Sequence, residues 1–591
     1  MRSHVPILFS SFAGGVVATP PAICLSMTLS FRPQATLAGI GLALMLAVLL
    51  FAPGAGTSAP NANHADTYVE AMLGAPRFVN PLLASSDTDL DLTHLVYSGL
   101  MRVDTNGKLA PDMASRWDIS PDARVYTFTL KPDVRWHDGE FVTADDVLFT
   151  VEQLRRSDFP GDPMLAAPWK EATTAAPDPQ TVVFRLPQPN AAFLQYMTLG
   201  ILPRHLWGDP NAGRLATSEL NRAPIGSGPW RYVRGPEIAS DVSGASDVLQ
   251  PTPAALAAGA EGVLLEPNPY VPQGDGSFSR IWFRLYPTFG AALTGFEMGE
   301  VHGLGHIPQE HLAEVEVAEG VQLHRQNLAR YTMLMLNVRS PLFDRAETRQ
   351  AFGLAIDRRA LVRDSLQGLG EPLVSPVLPH SWAFDATLQA SAAYDPAKAR
   401  TLLDAAGWKP GAEGIRARDG VTLTVVLAAN ADVPSNVAVA RQLAGFLNAV
   451  GVDVQLALVS REVLLHDYLG PRAFHMAVAG WEAEGADPDT WKYWHSSQAN
   501  ITGGLNFSGW SNPDADKALD AARATPDTAI RTANYLTVQK AFAADVPAVV
   551  LYTPIYVYAT HAPATGVSLP SADLLNPAQR FDTIGGWSLK P

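Results

Sequence analysis

Apolar and polar residues follow a regular order through the second half of the chain. The segments VTLTVVLA (421–428), VDVQLALV (452–459) and FHMAVAGW (474–481) are rich in β-branched and apolar residues, which predicts three strands. Helices are predicted between them, over about 435–449 and 462–468. A β-α-β-α-β order favours a mostly parallel sheet covered by helices.

Helix start signals support this pattern. Thr143 is followed three residues later by Asp146, which predicts a helix cap in the form of a short capping box. Asp344 and Glu347 have the same spacing before another predicted helix. Asp395 precedes a proline, and this pair is typical of a helix N-terminus.

The first half of the chain instead has patterns that are typical of strands and hairpins. Residues 66–73 (DTYVEAML) predict a first strand, and VYTFTL (125–130) alternates as a half-buried strand does. Residues 236–262 are rich in Ala, Gly, Ser and Pro, so we expect a loop insertion there.

The N-terminus has the pattern of an export signal. Residues 1–59 contain Arg2 and Arg32, no lysine and no acidic residue, and 37–52 are an unbroken apolar or glycine stretch. A basic start, an apolar middle and a small-residue end describe a secretory signal peptide. That stretch is shorter than the ~20 residues that a spanning helix needs, although a retained anchor stays as an alternative.

Length, charge and cysteine content narrow the possibilities. With 591 residues the chain exceeds the size at which one hydrophobic core stops growing, so at least two lobes are expected. A formal charge of -15 argues against a nucleic-acid partner. The single cysteine, Cys24, precedes the apolar stretch, so removal of the predicted signal peptide would leave a chain without cysteine. Such a chain forms no disulfide and no thiolate metal site.

Signatures of catalysis and of metal binding are scarce. The sequence has no G-x-S-x-G elbow, no Walker loop, no dinucleotide glycine fingerprint and no H-E-x-x-H. His302 and His306 are separated by glycines, which disfavours a helix, and on a strand they would stand about 13 Å apart. We therefore expect exposed strand or hinge histidines there, no metal site, no cofactor and no enzyme activity.

The sharpest local signal is the segment WEAEGADPDTW (481–491). It places Glu482, Glu484 and Asp487 after an indole, at the carboxyl end of a predicted strand, where sheets of this kind bind ligands. One interpretation is an acidic, solvated loop with a turn at Asp487-Pro488. The other is a carboxylate in a partly desolvated cleft that holds a ligand ammonium beside an aromatic wall.

Two further side chains are candidates for ligand contact. Asn337 ends the strand pattern RYTMLMLN, and Tyr331 lies in the same segment. An asparagine at a strand end serves equally well to cap the chain locally, so both interpretations stay open.

Six segments stand out when they are taken in order along the chain: 111–147, 200–207 (GILPRHLW), 224–232 (PIGSGPWRY), 337–362, 394–408 and 480–491. Together they resemble the family 5 extracellular solute-binding proteins of ABC importers, the dipeptide, oligopeptide and nickel group.

This resemblance implies an α/β, bilobal periplasmic-binding-protein-like fold of the cluster C type. The expected organisation is a signal peptide at 1–59, a first lobe at 60–305 with an extra subdomain near 100–199, a second lobe at 306–555, and a return segment at 556–591. Ligand would be buried between two lobes that close around it.

The resemblance also implies roles for particular residues. In peptide-binding relatives a tryptophan and, three residues later, an aspartate that binds the peptide amine lie in this segment; the matching positions are Trp481 and Glu484. Here the acid is one methylene longer. Some relatives carry a basic residue three positions before the tryptophan, where this chain has Val478.

The sequence as a whole indicates a periplasmic, monomeric solute-binding protein that hands peptides to the permease of an ABC transporter. The alternatives are a binder of another amine-bearing solute or of a nickel complex, and an exported hydrolase.

Overall fold

A computed structural model describes residues 66–208, 212–235, 261–272, 276, 278–391 and 393–590. The predicted signal peptide with Cys24, and most of the predicted loop insertion, lie outside these residues. Among the described residues, no helix combines the length and the apolar character that a membrane crossing needs.

The described chain is organised around one mixed sheet of twelve strands. Its strands are β1 Thr67–Leu73, β2 Trp230–Arg234, β3 Gly262–Pro267, β4 Arg280–Tyr286, β5 Gly303–Leu304, β6 Val321–Asn327, β7 Arg330–Leu336, β8 Gly370–Pro372, β9 Thr424–Asn430, β10 Asp453–Val459, β11 Met476–Glu482 and β12 Ala548–His561. From one edge the spatial order is β10-β9-β11-β7-β12-β5-β1-β4-β3-β2, and β6 and β8 also pair with β12.

The predicted β-α-β-α-β unit is present. Strand β9 pairs in parallel with both β10 and β11, and helix Pro434–Asn448 connects β9 to β10. The parallel arrangement stops there, because β11 pairs with β7 and β7 pairs with β12 in antiparallel fashion. Among the described residues, the other α-helices of at least eight residues are Asp87–Val96, Ala144–Arg155, Phe289–Glu297, Ala346–Ala355, Arg358–Ser365, Pro396–Ala405, Pro513–Arg523 and Thr528–Asp545, and Ala191–Thr198 and Pro577–Gly586 are 3-10 helices.

Most of the predicted helix starts are confirmed. Thr143 and Asp146 form the capping box of helix Ala144–Arg155, and the Asp395 side chain caps helix Pro396–Ala405. The prediction for Asp344 is wrong. The N-cap of helix Ala346–Ala355 is Arg345, and the Asp344 carboxylate accepts a hydrogen bond from Arg418 at 3.1 Å instead.

A second, four-stranded antiparallel sheet lies in the first half. Its strands are Ala114–Ile119, Val125–Leu130, Thr181–Arg185 and Thr173–Asp178, in that spatial order. Alternate side chains of VYTFTL, Tyr126, Phe128 and Leu130, are buried in the same core as Tyr68 of β1. This packing attaches the small sheet to the large one.

Buried apolar side chains of the described residues form four clusters, which fall into two sets along the chain. Two clusters contain residues from Tyr68 to Leu328 and from Tyr556 to Leu589, and this set is the first core. The other two contain residues from Tyr331 to Tyr552, and this set is the second core. The division into lobes stays a prediction, and the packing favours a boundary after Leu328 rather than at 305.

Strand β12 belongs to both cores. Its residues Ala548–Tyr552 pair with β7 in the second core, and Ile555–His561 pair with β6 in the first. Pro554 lies between these two ladders, where a residue without an N–H is tolerated because the strand changes partners there. The long strand therefore carries the backbone from one core to the other.

Candidate functional site

The segment after β11 begins with an aromatic cluster. Trp481 lies opposite Tyr331 of β7 in the strand register. Its ring stacks on Tyr493, with centroids 4.4 Å apart and planes 18° apart, and contacts Phe507 at 5.5 Å. Two adjacent strand ends thus place Trp481 and Tyr331, two of the predicted site residues, side by side.

A cavity of about 90 Å³ lies at this strand end. A cavity that holds a single water molecule has a volume of about 10–15 Å³, so this cavity has room for a group of several heavy atoms. It lies between the two cores, with a lining that includes Val103, Gly107, Ala329, Tyr331, Leu378, His380, Trp481–Thr490, Tyr493, Ala572, Asp573 and Leu575.

Two larger cavities adjoin it. One of about 460 Å³ also contacts Tyr331, Trp481 and Glu482 on the side of the second core. Another of about 580 Å³ shares Val103 and Leu575 with it and is lined by residues of the first half of the chain and of its C-terminal part. We refer to the three cavities together as the cleft.

Several side-chain hydrogen bonds join the two cores, and two of them lie at this cavity. The Tyr196 hydroxyl donates to Oε2 of Glu484 at 2.7 Å. Nδ1 of His380 lies 2.5 Å from Oδ1 of Asp573. Burial raises the pKa of Tyr196, and the negative charge of Glu484 raises it further, so this hydroxyl remains a donor.

Glu484, the predicted ammonium anchor, already has a cationic partner. Nζ of Lys492 contacts its Oε1, and Tyr196 occupies its Oε2. The Glu484 and Lys492 side chains are 23% and 20% exposed, so the pair is largely removed from water. Lys492 also lies over the ring of Tyr493, 4.6 Å from its centroid.

The neighbouring acids are paired in the same way. Arg330 contacts Glu482 at 3.2 Å on the surface. The remaining two pairs are buried, with Arg531 at 2.7 Å from Asp487 and Arg523 at 2.5 Å from Asp489. Every acidic residue of the 481–491 segment therefore contacts a basic residue of the chain.

The pair formed by Asp487 holds the segment against a helix. Arg531 lies in helix Thr528–Asp545, and it also donates to the Tyr535 hydroxyl at 2.9 Å. Burial alone lowers the pKa of Arg531, but the Asp487 carboxylate raises it above its usual range. Both contacts fix Asp487 as a structural partner of the helix.

Asn337 makes local contacts. Its amide donates to the backbone carbonyls of Arg472 and Phe474 at 3.0 and 2.9 Å, and its oxygen accepts from Arg339 N. These bonds correspond to the local-capping interpretation of this residue. Asn337 is absent from the lining of the three cavities.

Two donors that line the cavity have no hydrogen-bond partner in the described part of the chain. They are Nε1 of Trp481 and Oγ1 of Thr490, and both atoms are buried. The Tyr331 hydroxyl is different, because it accepts a hydrogen bond from Nε1 of Trp494 at 3.4 Å.

His302 and His306, which were considered as metal ligands, both contact other residues of the chain. His302 is buried, not exposed as predicted, and its Nδ1 accepts from Val69 N at 2.9 Å. His306 contacts Asp87 at 3.1 Å and Asp91 at 3.5 Å. No group of three or more His, Cys, Asp or Glu suited to a metal ion occurs among the residues that the structure describes.

Sequence reasoning missed the partners of the acidic segment. Tyr196, Arg523 and Arg531 lie far from the segment in the chain, and no local pattern connects them to it. Lys492 could have been suspected, because it stands eight residues after Glu484 on the next short helix, Trp491–Trp494.

Comparisons with known proteins agree on one family. Residues 108–503 match the family model described as bacterial extracellular solute-binding proteins, family 5. The chain is 25% identical over 492 residues to the oligopeptide-binding protein AppA of Bacillus subtilis, covering 82% of this chain and 86% of that protein. It is 27% identical over 554 residues to the probable D,D-dipeptide-binding periplasmic protein DdpA of Escherichia coli, covering 91% and 96%.

Solved structures show the same fold. The crystal structure of NikZ from Campylobacter jejuni in complex with Ni(L-His) matches with a TM-score of 0.66 and 25% identity. The match covers 89% of this chain and 99% of that one. The predicted α/β binding-protein fold is thereby confirmed.

Proposed function

Because the chain belongs to the bacterial extracellular solute-binding proteins of family 5, we propose that it captures peptides and delivers them to the permease of an ABC transporter. The delivery step follows from the family, and the peptide class is supported by the relatives named above as oligopeptide- and dipeptide-binding.

The observation that carries this proposal is the cleft between the two cores. Its narrow part lies beyond the end of β11, with Trp481 and Tyr331 on one side and Ala572, Asp573 and Leu575 on the other. A solute there would contact both cores at once, beside the aromatic wall and the charged pairs described above.

The six candidate residues take different parts in this proposal. Trp481 and Tyr331 form the aromatic wall, and Glu482 and Glu484 lie along the cavity with their cationic partners. Asp487 holds the 481–491 segment against helix Thr528–Asp545, and Asn337 binds the chain just before β11 through the contacts given above. Main-chain hydrogen bonds, as in strand addition, would supply most of the peptide recognition.

The protein would act in the periplasm as a monomer and leave its ligand unchanged. The relative from Escherichia coli is named a periplasmic protein, and the sequence carries an export-signal pattern. A turnover assay with the bound peptides separates this proposal from an exported hydrolase, because a binding protein returns each peptide intact.

Native mass spectrometry of the protein purified from its own periplasm tests the ligand class. Peptides should co-purify, and calorimetry with a synthetic copy should give saturable binding. Recovery of a nickel complex or of a non-peptide amine, with no peptide bound, would contradict the proposal.

A matched pair of variants then locates the site. Trp481→Ala should weaken peptide binding by about tenfold or more, because it removes the stacked wall of the cavity. Phe141→Ala alters an aromatic side chain that is 50% exposed and is not part of the cavity lining, so its affinity should match that of the wild type.

A further inference from the structure

The 3-10 helix Ala191–Thr198 of the first core carries a tyrosine that reaches the second core. The ring of this residue, Tyr196, lies 6.4 Å from that of Trp169 and 5.9 Å from that of Phe193, so the first core fixes its position. Its hydroxyl donates to Oε2 of Glu484 at 2.7 Å. A hydrogen bond to a carboxylate is stronger than one between neutral groups. Tyr196 and Glu484 therefore join the two cores.

A glycine beside this bond makes the close approach possible. Gly485 follows Glu484, and a Cβ atom at this position would lie only 2.8 Å from Cβ of Gln195, the residue before Tyr196. Gln195 is 2% exposed, so it has little room to move aside. The φ angle of Gly485 is not in the left-handed region, so the backbone conformation does not by itself require a glycine. The glycine thus serves the contact between the two cores.

Glu484 lines the cavity, but both of its carboxylate oxygens are bound by residues outside the lining. Lys492 contacts Oε1 and Tyr196 binds Oε2, and neither of them lines the cavity. Lys492 belongs to the same side of the cleft as Glu484, where it lies over the ring of Tyr493. It therefore holds the carboxylate in position for Tyr196. A ligand ammonium would have to compete with these two partners.

We propose that Glu484 acts as a latch residue: it binds Tyr196 and so holds the first core against the second, and its carboxylate does not bind the ligand. This inference rests on the proposed peptide function and assigns the role of one residue of its site. Glu484 then sets peptide affinity through the fraction of protein that is closed. Loss of the latch weakens every peptide by the same factor, whereas loss of an ammonium anchor weakens only peptides with a free amine.

Calorimetry on Glu484→Met separates the two roles, because methionine keeps the length of the side chain and removes both oxygens. The probes are tripeptides of mixed sequence, each in a free-amine and an N-acetylated form. Both forms should lose about tenfold in affinity relative to the wild type. A loss for the free-amine form that exceeds the other by about threefold or more would overturn the inference and leave the peptide function intact. Failure of both forms to bind the wild type would overturn the proposed function itself.

A double-mutant cycle with the free-amine form tests whether Glu484 acts through Tyr196. Tyr196→Phe removes the other half of the bond, so the double variant should bind no more weakly than Glu484→Met alone. Tyr394→Phe, at an exposed tyrosine, is the control and should keep the wild-type affinity. Losses that multiply in the double variant would show that the two side chains act separately, and would overturn the inference.

Gly485→Ala tests the latch without any ligand. The added methyl group meets Gln195, so the closed form should be disfavoured and the radius of gyration of the ligand-free protein should rise in small-angle scattering. Gly445→Ala in helix Pro434–Asn448 is the matched control, because its new Cβ would have nothing within 4 Å beyond the backbone of its own helix. A Gly485→Ala protein that melts as a folded protein and keeps the wild-type radius of gyration would overturn the latch, whatever the ligand is.

Discussion

At the scale of single residues, each of the four acids in segment 481–491 lies within 4 Å of a lysine or arginine. The pairs differ in burial, and burial decides their energetic importance.

Asp487 and Glu482 allow this difference to be measured. Asp487→Asn leaves Arg531 buried without a counter-ion, and such a change costs about 3–5 kcal/mol of folding free energy. Glu482→Gln breaks a pair whose side chains are 69% and 47% exposed, and the cost should stay below about 1 kcal/mol. Urea denaturation of both variants checks this, and equal costs would contradict the assignment of Asp487 as a structural residue.

His306 makes stability depend on pH. Burial lowers its pKa, but hydrogen bonds to Asp87 and Asp91 raise it to about 9, above the ordinary value of about 6.5. A raised pKa stabilises the folded state fully below pH 6.5, and this contribution is lost as pH rises through about 9. The stability difference between wild type and His306→Gln should therefore shrink from pH 6.5 to 9.5 in urea titrations. A difference independent of pH would show that His306 does not titrate in this window.

At the scale of elements, two carboxylates at helix starts accept backbone N–H bonds in different surroundings: Asp527 is the N-cap of its helix, and Asp146 is the capping-box partner of the N-cap Thr143. Asp527 caps helix Thr528–Asp545 by accepting from Ala529 N and Ile530 N on the surface. Asp146 is buried, and accepts from Thr143 N and also from Arg204 N, each at 2.8 Å. The second cap therefore joins its helix to a distant turn.

Replacing these caps should have unequal effects. Asp527→Ala should cost about 1 kcal/mol, as expected for an exposed N-cap. Asp146→Ala should cost more, about 2–4 kcal/mol, because it also strands a buried backbone N–H of Arg204. Denaturant midpoints compare the two variants in the same protein. A cost for Asp146→Ala no larger than that of Asp527→Ala would contradict the role of the second bond.

At the scale of the whole molecule, strand β12 links two cores that also contact each other across the cleft. The bond from Tyr196 to Glu484 joins side chains from different cores, as does the pair His380–Asp573. Few such bonds cross the cleft compared with the extensive packing inside each core. We therefore expect the two cores to move as units about the crossing strand, and a ligand that contacts both to favour the closed arrangement.

Small-angle scattering tests this movement. Saturating peptide should reduce the radius of gyration of the wild type. Tyr196→Phe removes a bond across the cleft, so the ligand-free variant should have a larger radius of gyration than the ligand-free wild type. Tyr394→Phe, at a tyrosine that is 47% exposed, is the matched control. A profile that does not change on addition of peptide would contradict closure.

The sequence by itself determined the local structure and the family. Periodicity located β9, β10 and β11 and the helix between β9 and β10 to within a few residues, because side-chain spacing reflects which face of an element is buried. Ordered motifs identified the solute-binding family, and the end of β11, which the sequence singles out, lines the cavity between the two cores. The helix start at Asp344 was wrong, because a contact with Arg418 from a distant hairpin competes for that carboxylate.

Only the tertiary structure decided the electrostatics of the site. The partners of Glu484, Asp487 and Asp489 include Tyr196, Arg523 and Arg531, which the fold brings to the segment from other elements. A sequence shows the number of charges in a segment, but long-range packing determines whether each charge meets a partner or a ligand. The buried position of His302 and the unpaired indole donor of Trp481 depend on the same long-range packing, for which a single sequence has no local signal.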